Sequence, residues 1–148
     1  MESGNIYEKA KAFKKKYPMT IAWRLKKNAK IIEKYLRANE EVLYVFVAQK
    51  NNNPFDIFTT AVLALTSERL IIGRKRVVFG YFFDSITPDL FNDLKVLSGI
   101  IWGKIHIDTV KEYITLSNLD KAALPEIEKM IGTYMSEQKK VLNSQESI

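Results

Sequence analysis

The chain contains no cysteine and a single histidine. Without cysteine there is no disulfide, no zinc–thiolate site and no thiol nucleophile. One histidine leaves metal binding to carboxylates and gives hydrolytic chemistry one ordinary general base. That residue, His106, falls on an alternating stretch where Ile105 and Ile107 face one way and Lys104, His106 and Asp108 the other. It reads as a surface histidine of a strand. Asp84, Asp89 and Asp93 read as solvated turn residues rather than metal ligands. Neither a Walker loop nor GxGxxG occurs. No enzyme, cofactor or metal is expected. The longest apolar runs, such as 42–48, are far below the roughly 18 residues of a membrane span. Met1-Glu2-Ser3-Gly4 lacks the basic-then-apolar start of a secretory signal. A cytoplasmic protein, peripheral to a membrane if it meets one, is the expectation.

What is present suits one domain of about 100 residues with an extension. The 148 residues are 47% hydrophobic and 27% charged, enough for a core. The net charge of +6 is unevenly placed. Residues 1–40 hold eleven Lys/Arg against four acidic residues, or +7; residues 41–148 hold twelve against thirteen, or −1. A near-neutral domain therefore carries a basic front end.

That front end reads as two helices. The first spans 5–16 and stops before Pro18, whose ring disfavours helix in the residue ahead of it. The second is expected to be capped by Thr20 and to run to about Arg37. At about 100° per residue, Ile21, Leu25, Ala29, Ile32 and Leu36 share one sector of roughly 80°. Lys26, Lys27, Lys30, Lys34 and Arg37 lie opposite, with Trp23 among them. This basic face is a solvated surface, an attractor of anionic lipid or, ranked last, an attractor of nucleic acid, because no groove-reading motif accompanies it.

From Glu41 the period shortens to that of strands. Expected strands are 42–49, a hairpin 59–66 and 69–74 around Ser67-Glu68, then 77–83, 94–102, 104–109 and 112–116. Asn51-Asn52-Asn53-Pro54 is a turn cluster, and 85–94 is irregular around Pro88. The last element is a helix with Leu124, Ile127, Ile131 and Tyr134 as an apolar stripe and Pro125 in its first turn. Gly132 is expected to mark a close contact, and Ser136 onward to fray.

Seven strands followed by one amphipathic helix is the order of the pleckstrin-homology (PH) fold. Particular residues sharpen the likeness. Ala64-Leu65-Thr66-Ser67-Glu68-Arg69-Leu70-Ile71-Ile72 resembles the strand–turn–strand signature of bacterial PH-like domains. Asp84-Ser85-Ile86 before Pro88 resembles the end of their fourth strand, and Gly99 through Ile107 their fifth and sixth. The chain is similar to the YokE-like bacterial PH domains over about 41–135. The resemblance implies a mainly β, α+β fold: a PH-like seven-stranded antiparallel barrel of two orthogonal sheets with a C-terminal capping helix. Here an N-terminal helical extension (1–40) precedes the domain (41–136), and a polar tail (137–148) follows. It also implies a non-catalytic binding module. Headgroup-binding PH domains use Lys and Arg of the first and third strand–strand loops. Those positions hold Lys50 in the first loop and Arg74, Lys75 and Arg76 in the third. Many bacterial members are thought instead to bind protein or to self-assemble.

Two early strands are apolar on both faces. One reads Val42, Tyr44, Phe46, Ala48 against Leu43, Val45, Val47; the other reads Val77, Phe79, Tyr81, Phe83 against Val78, Phe82. A sheet with one wet face should alternate, so this face needs a cover. Ile21, Leu25, Ile32 and Leu36 of the second helix supply one, packing near Tyr44, Phe46 and Phe82; a second copy of the chain supplies another. The expected function is protein contact or self-association through this first sheet. The alternative is a peripheral module for anionic membrane, using the basic helix and the Arg74–Arg76 loop.

Overall fold

A computed structural model describes residues 3–51, 59–76 and 79–146. Helices α1 (Ser3–Lys16) and α2 (Leu25–Tyr35) precede seven strands: β1 (Val42–Gln49), β2 (Thr60–Thr66), β3 (Leu70–Lys75), β4 (Tyr81–Ile86), β5 (Phe91–Ser98), β6 (Trp102–Thr109) and β7 (Tyr113–Asp120). Helix α3 (Leu124–Glu146) follows. The strands form one curled antiparallel sheet in the order β4-β3-β2-β1-β7-β6-β5, a half-barrel with β4 and β5 at its edges. Its two halves, β1–β4 and β5–β7, meet at one pair, Gln49 with Ser117.

Pairing register separates the two faces of the first half. Phe46, Leu63 and Ile72 lie opposite one another on one face; Val47, Val62 and Gly73 do so on the other. The first set points inward to a core shared with Ile105, Ile107, Ile114 and Leu116 of the second half and Ile127, Ile131 and Met135 of α3. The second set lies under α2. A Cβ on Gly73 would come within 2.8 Å of Ile32 Cγ1 and 3.2 Å of the Asn28 carbonyl oxygen, so glycine is what lets α2 lie this close to β3. Every residue of β2 is buried, as a strand covered on both faces must be. Fully burying a side chain such as Ile32 is worth about 1.5–3 kcal/mol.

The seam between β1 and β7 is closed by the N-terminus. Helix α1 packs along β1, with the Phe13 ring 6.2 Å from that of Phe46. The segment after it runs along the end of β7: the Ile21 N–H donates to the Asn118 carbonyl (2.9 Å), and the Asp120 N–H donates to Thr20 Oγ1 (2.9 Å).

Those bonds correct the start of α2. Thr20 does not cap it; the residue is buried and its hydroxyl serves β7. Ile21 is tied to β7, residues 21–24 are not helical, and the helix opens only after Arg24, which adopts a left-handed backbone (φ 57°). Ile21 therefore leaves the helical sector. The boundaries of four strands also differ. Tyr81–Ile86 is the fourth strand, whereas Phe79 is exposed outside it; Val77 and Val78 lie outside the described residues. The fifth strand begins at Phe91, and Trp102 belongs to the sixth because residues 99–101 form the turn, closed by the Gly99 N–H on the Trp102 carbonyl (2.9 Å). The seventh extends to Asp120, where the bonds from Thr20 and Ile21 hold it. The C-terminal helix continues through Glu146 instead of fraying at Ser136, with Met135 buried beside its stripe. Gly132 faces Glu128 of its own helix; the close approach is at Gly103, where a Cβ would meet Leu124 Cδ1 at 2.6 Å.

Candidate functional site

The start of helix α2 and the end of β3 are far apart in sequence but adjacent in the fold. Asn28 joins them. Buried at the start of α2, its amide donates to the carbonyls of Thr60 (3.0 Å) and Trp23 (3.2 Å), and its Oδ1 accepts the Lys75 N–H (2.7 Å). A buried amide left unbonded would cost about 1–3 kcal/mol, so this clasp fixes the helix relative to the strand end. Sequence reasoning passed over Asn28, although it interrupts the apolar face between Leu25 and Ala29. Arg24 makes a second tie, its Nη1 donating to the Arg76 carbonyl (3.3 Å).

The clasp places cations beside exposed aromatic rings. The guanidinium carbons of Arg74 and Arg76 lie 4.6 and 5.0 Å from the Phe82 ring centroid. Lys34 Nζ stands 5.0 Å from that of Tyr81, and the Arg24 guanidinium 5.2 Å from that of Trp23. Tyr35 stacks on Phe83 at 3.9 Å, and its hydroxyl pairs with that of Tyr81 at 2.6 Å. That hydrogen bond, with lesser contributions from burial, raises the Tyr35 hydroxyl above its ordinary value. Phe82 remains 45% exposed, Phe79 79% and Trp23 37%. Lys26, Lys27, Lys30 and Lys34 all face solvent. Within α2 they are accompanied by one acid, Glu33, whose carboxyl is raised by partial burial against the opposing charge of Lys30.

Arg74 and Lys75 belong to β3 rather than to the expected loop; Lys75 shares the α2 side of the sheet with Gly73, Tyr81 and Phe83, whereas Arg74 and Phe82 lie on the opposite face. Lys50 is held apart, with Nζ 3.8 Å from Glu112. A hydrogen bond to Asp84 and partial burial raise the Glu112 carboxyl, while Lys50 opposes that shift. The rest of the turn cluster after Asn51 lies outside the described residues.

The residues expected to pack or to form an interface fall into three groups. Ile32 is buried on the sheet, and Leu25 and Leu36 are partly buried against the same core. Ile21 belongs to the segment tied to β7. Phe46 is wholly buried and Tyr44 half-buried on the inner side, where the Tyr44 hydroxyl donates to Glu126 (2.7 Å). Phe82 lies under the two arginines. The outer face of β2 and β3 is thus covered by α2 of the same chain. Burial, then the neighbouring Glu126 carboxylate, pushes the Tyr44 hydroxyl far up.

Away from this surface, His106 Nδ1 lies 3.1 Å from Thr115 Oγ1 and the ring stacks on Tyr113 at 5.3 Å. Asp84 pairs with Lys111 at 3.6 Å and Asp93 accepts the Leu94 N–H. Among the described residues no three His, Asp or Glu side chains are grouped to hold a metal ion. Among the described residues no helix is long and apolar enough to cross a membrane.

A curled seven-stranded antiparallel sheet with a helix at its C-terminal end is the PH-like fold, and the sequence agrees. The family model for the bacterial PH domain matches residues 36–133, and the chain belongs to that family. Among solved structures, a pleckstrin homology domain from Shewanella amazonensis SB2B matches with a TM-score of 0.50 and 19% identity, over 74% of this chain and 96% of that one. At that identity the likeness speaks for the fold. No curated protein matches the chain. PH domains are in general non-catalytic binding modules.

Proposed function

We propose that this PH domain is a peripheral membrane module that binds anionic lipid surfaces through the outer face of α2 and the β3–β4 connection. The observation that carries the reading is their union. Two basic stretches separated by about forty residues are clasped together by Asn28 and Arg24, with Lys34 against Tyr81 on the α2 side of the sheet and Arg74 and Arg76 against the exposed Phe82 ring at the neighbouring strand end. Basic residues near an anionic leaflet contribute about 1 kcal/mol each, and aromatic rings favour the boundary between headgroups and acyl chains. The site differs from a headgroup pocket between the first and third loops, because Lys50 is paired with Glu112. Contact with protein through the first sheet is disfavoured by the helices already lying on it.

Co-sedimentation of the full chain with phosphatidylserine-containing and purely neutral vesicles tests the reading. Binding to the anionic vesicles alone is expected at low salt, and it should weaken steeply as salt rises. Combining Lys26→Glu, Lys27→Glu, Lys30→Glu and Lys34→Glu should lower affinity on the order of a thousandfold, four cations being worth about 4 kcal/mol. Equal binding by the variant, or no binding by the wild type, contradicts it.

A further inference from the structure

The second half of the sheet carries an apolar projection that the basic face does not include. The turn between β5 and β6 reads Ser98-Gly99-Ile100-Ile101-Trp102. Ile100 is 93% exposed, and Leu97 and Ile101 also face solvent. We propose that this hairpin tip is a wedge that enters the boundary of an anionic lipid bilayer, adding a salt-resistant component to the electrostatic attraction; it rests on the membrane reading above.

The tip is built to leave water at little expense. Entry into an apolar medium is opposed chiefly by backbone groups without partners. Here the Gly99 N–H donates to the Trp102 carbonyl (2.9 Å), and Lys121 Nζ donates to the Ile100 carbonyl (3.0 Å). The turn is tight: a Cβ on Gly99 would lie 2.8 Å from the Trp102 carbonyl oxygen, so the side chains are presented from a fixed hairpin. No acidic residue occurs between Ser98 and Lys104, and Lys104 and Lys121 flank the tip with the charge an anionic surface attracts.

The tip is also continuous with the basic face. Trp102 Nε1 donates to the Met19 carbonyl (2.9 Å), and the Met19 side chain is exposed beside it. The chain then runs past Ile21, anchored on β7, to Trp23 and Arg24, where the basic face begins. Trp23 lies four positions after Met19, at most about 14 Å of extended chain. A protein partner fits the tip less well. A stable interface needs about 800 Å² from each side, more than a few side chains on one turn present.

The experiment compares wild type, Ile100→Ser/Ile101→Ser and the four-lysine reversal on phosphatidylserine-containing vesicles at low and raised salt. Because both isoleucines are exposed, the serine variant should keep the wild-type circular dichroism spectrum and melting temperature. The wedge predicts about tenfold weaker binding for it, with the remainder abolished by salt. Wild-type affinity and salt response in the serine variant, while the lysine reversal abolishes binding, overturns the wedge and leaves the membrane reading standing. No binding by the wild type overturns both.

Discussion

The two halves of the sheet solve the same problem differently. Strands β1–β3 are largely buried on both faces; α2 covers the outer one, and α1 packs along β1. Strand β6 alternates instead: Gly103, Ile105, Ile107 and Thr109 are buried, while Lys104, His106 and Asp108 turn outward. In that half the N-terminal segment covers only the end of β7, around Thr20 and Ile21. Each half receives one helix through a glycine, α2 on the outside at Gly73 and α3 on the inside at Gly103. The helix that covers the first half also carries the charge. One element thus serves packing with one face and surface chemistry with the other, and the basic front end is part of the fold.

Removing the cover should break the contrast most severely. Deletion of residues 1–38 exposes the outer face of β1–β4 and opens the β1–β7 seam; the remaining chain should aggregate, as light scattering would report. A soluble, equally stable monomer would show that the cover is dispensable. Next comes the clasp at the far end of α2, where Arg69 bonds Glu40 through Nε (2.9 Å) and Nη2 (3.0 Å), and Nη2 also reaches the Tyr35 carbonyl (2.8 Å). The Glu40 side chain is fully buried, so Glu40→Ala should cost about 3–5 kcal/mol in denaturant unfolding by stranding the arginine. Burial by itself would raise the Glu40 carboxyl. The hydrogen bonds of Arg69, Thr66 and the Arg37 N–H, with the arginine charge, hold it below the ordinary range. A carboxyl lowered on folding stabilises above its unfolded value, about 4.3 for glutamate. That stability should be lost as pH falls through the lower folded value, and Glu40→Gln should flatten this part of the pH profile. Gly73→Val should cost about 2–3 kcal/mol by pushing Ile32 and α2 off the strand. The smallest effect belongs to the second half: His106→Ala, on the open face of β6, should change stability by less than about 0.5 kcal/mol.

Much of this contrast is legible in the sequence. Val42–Gln49 appears with its true ends because a period-2 run of Val, Tyr and Phe has no helical competitor. The two-faced apolar pattern of β1, and Tyr81 and Phe83 together on one face, point to a cover, and the Ile32 sector to its identity. What the sequence hides is tertiary. Thr20 has the form of a helix cap, yet β7 claims its hydroxyl, and Ile21 and Arg24 leave the helix with it. Trp102 looks like the end of a strand because nothing local marks the tight turn at Gly99. The candidate site is half legible: both basic stretches stand out as charge runs, but their union depends on Asn28, a polar residue inside an apolar sector. Lys50 fits by loop position alone and is drawn off by Glu112, a partner sixty residues away.

Hydrogen–deuterium exchange of the full chain, with and without phosphatidylserine-containing vesicles at low salt, tests the shared face most directly. Vesicles should slow exchange together in peptides spanning 21–37 and 74–83, leaving β6 and β7 around His106 unchanged. Slowed exchange in only one of the two stretches, or in neither, would contradict the claim that they act as one membrane-binding surface.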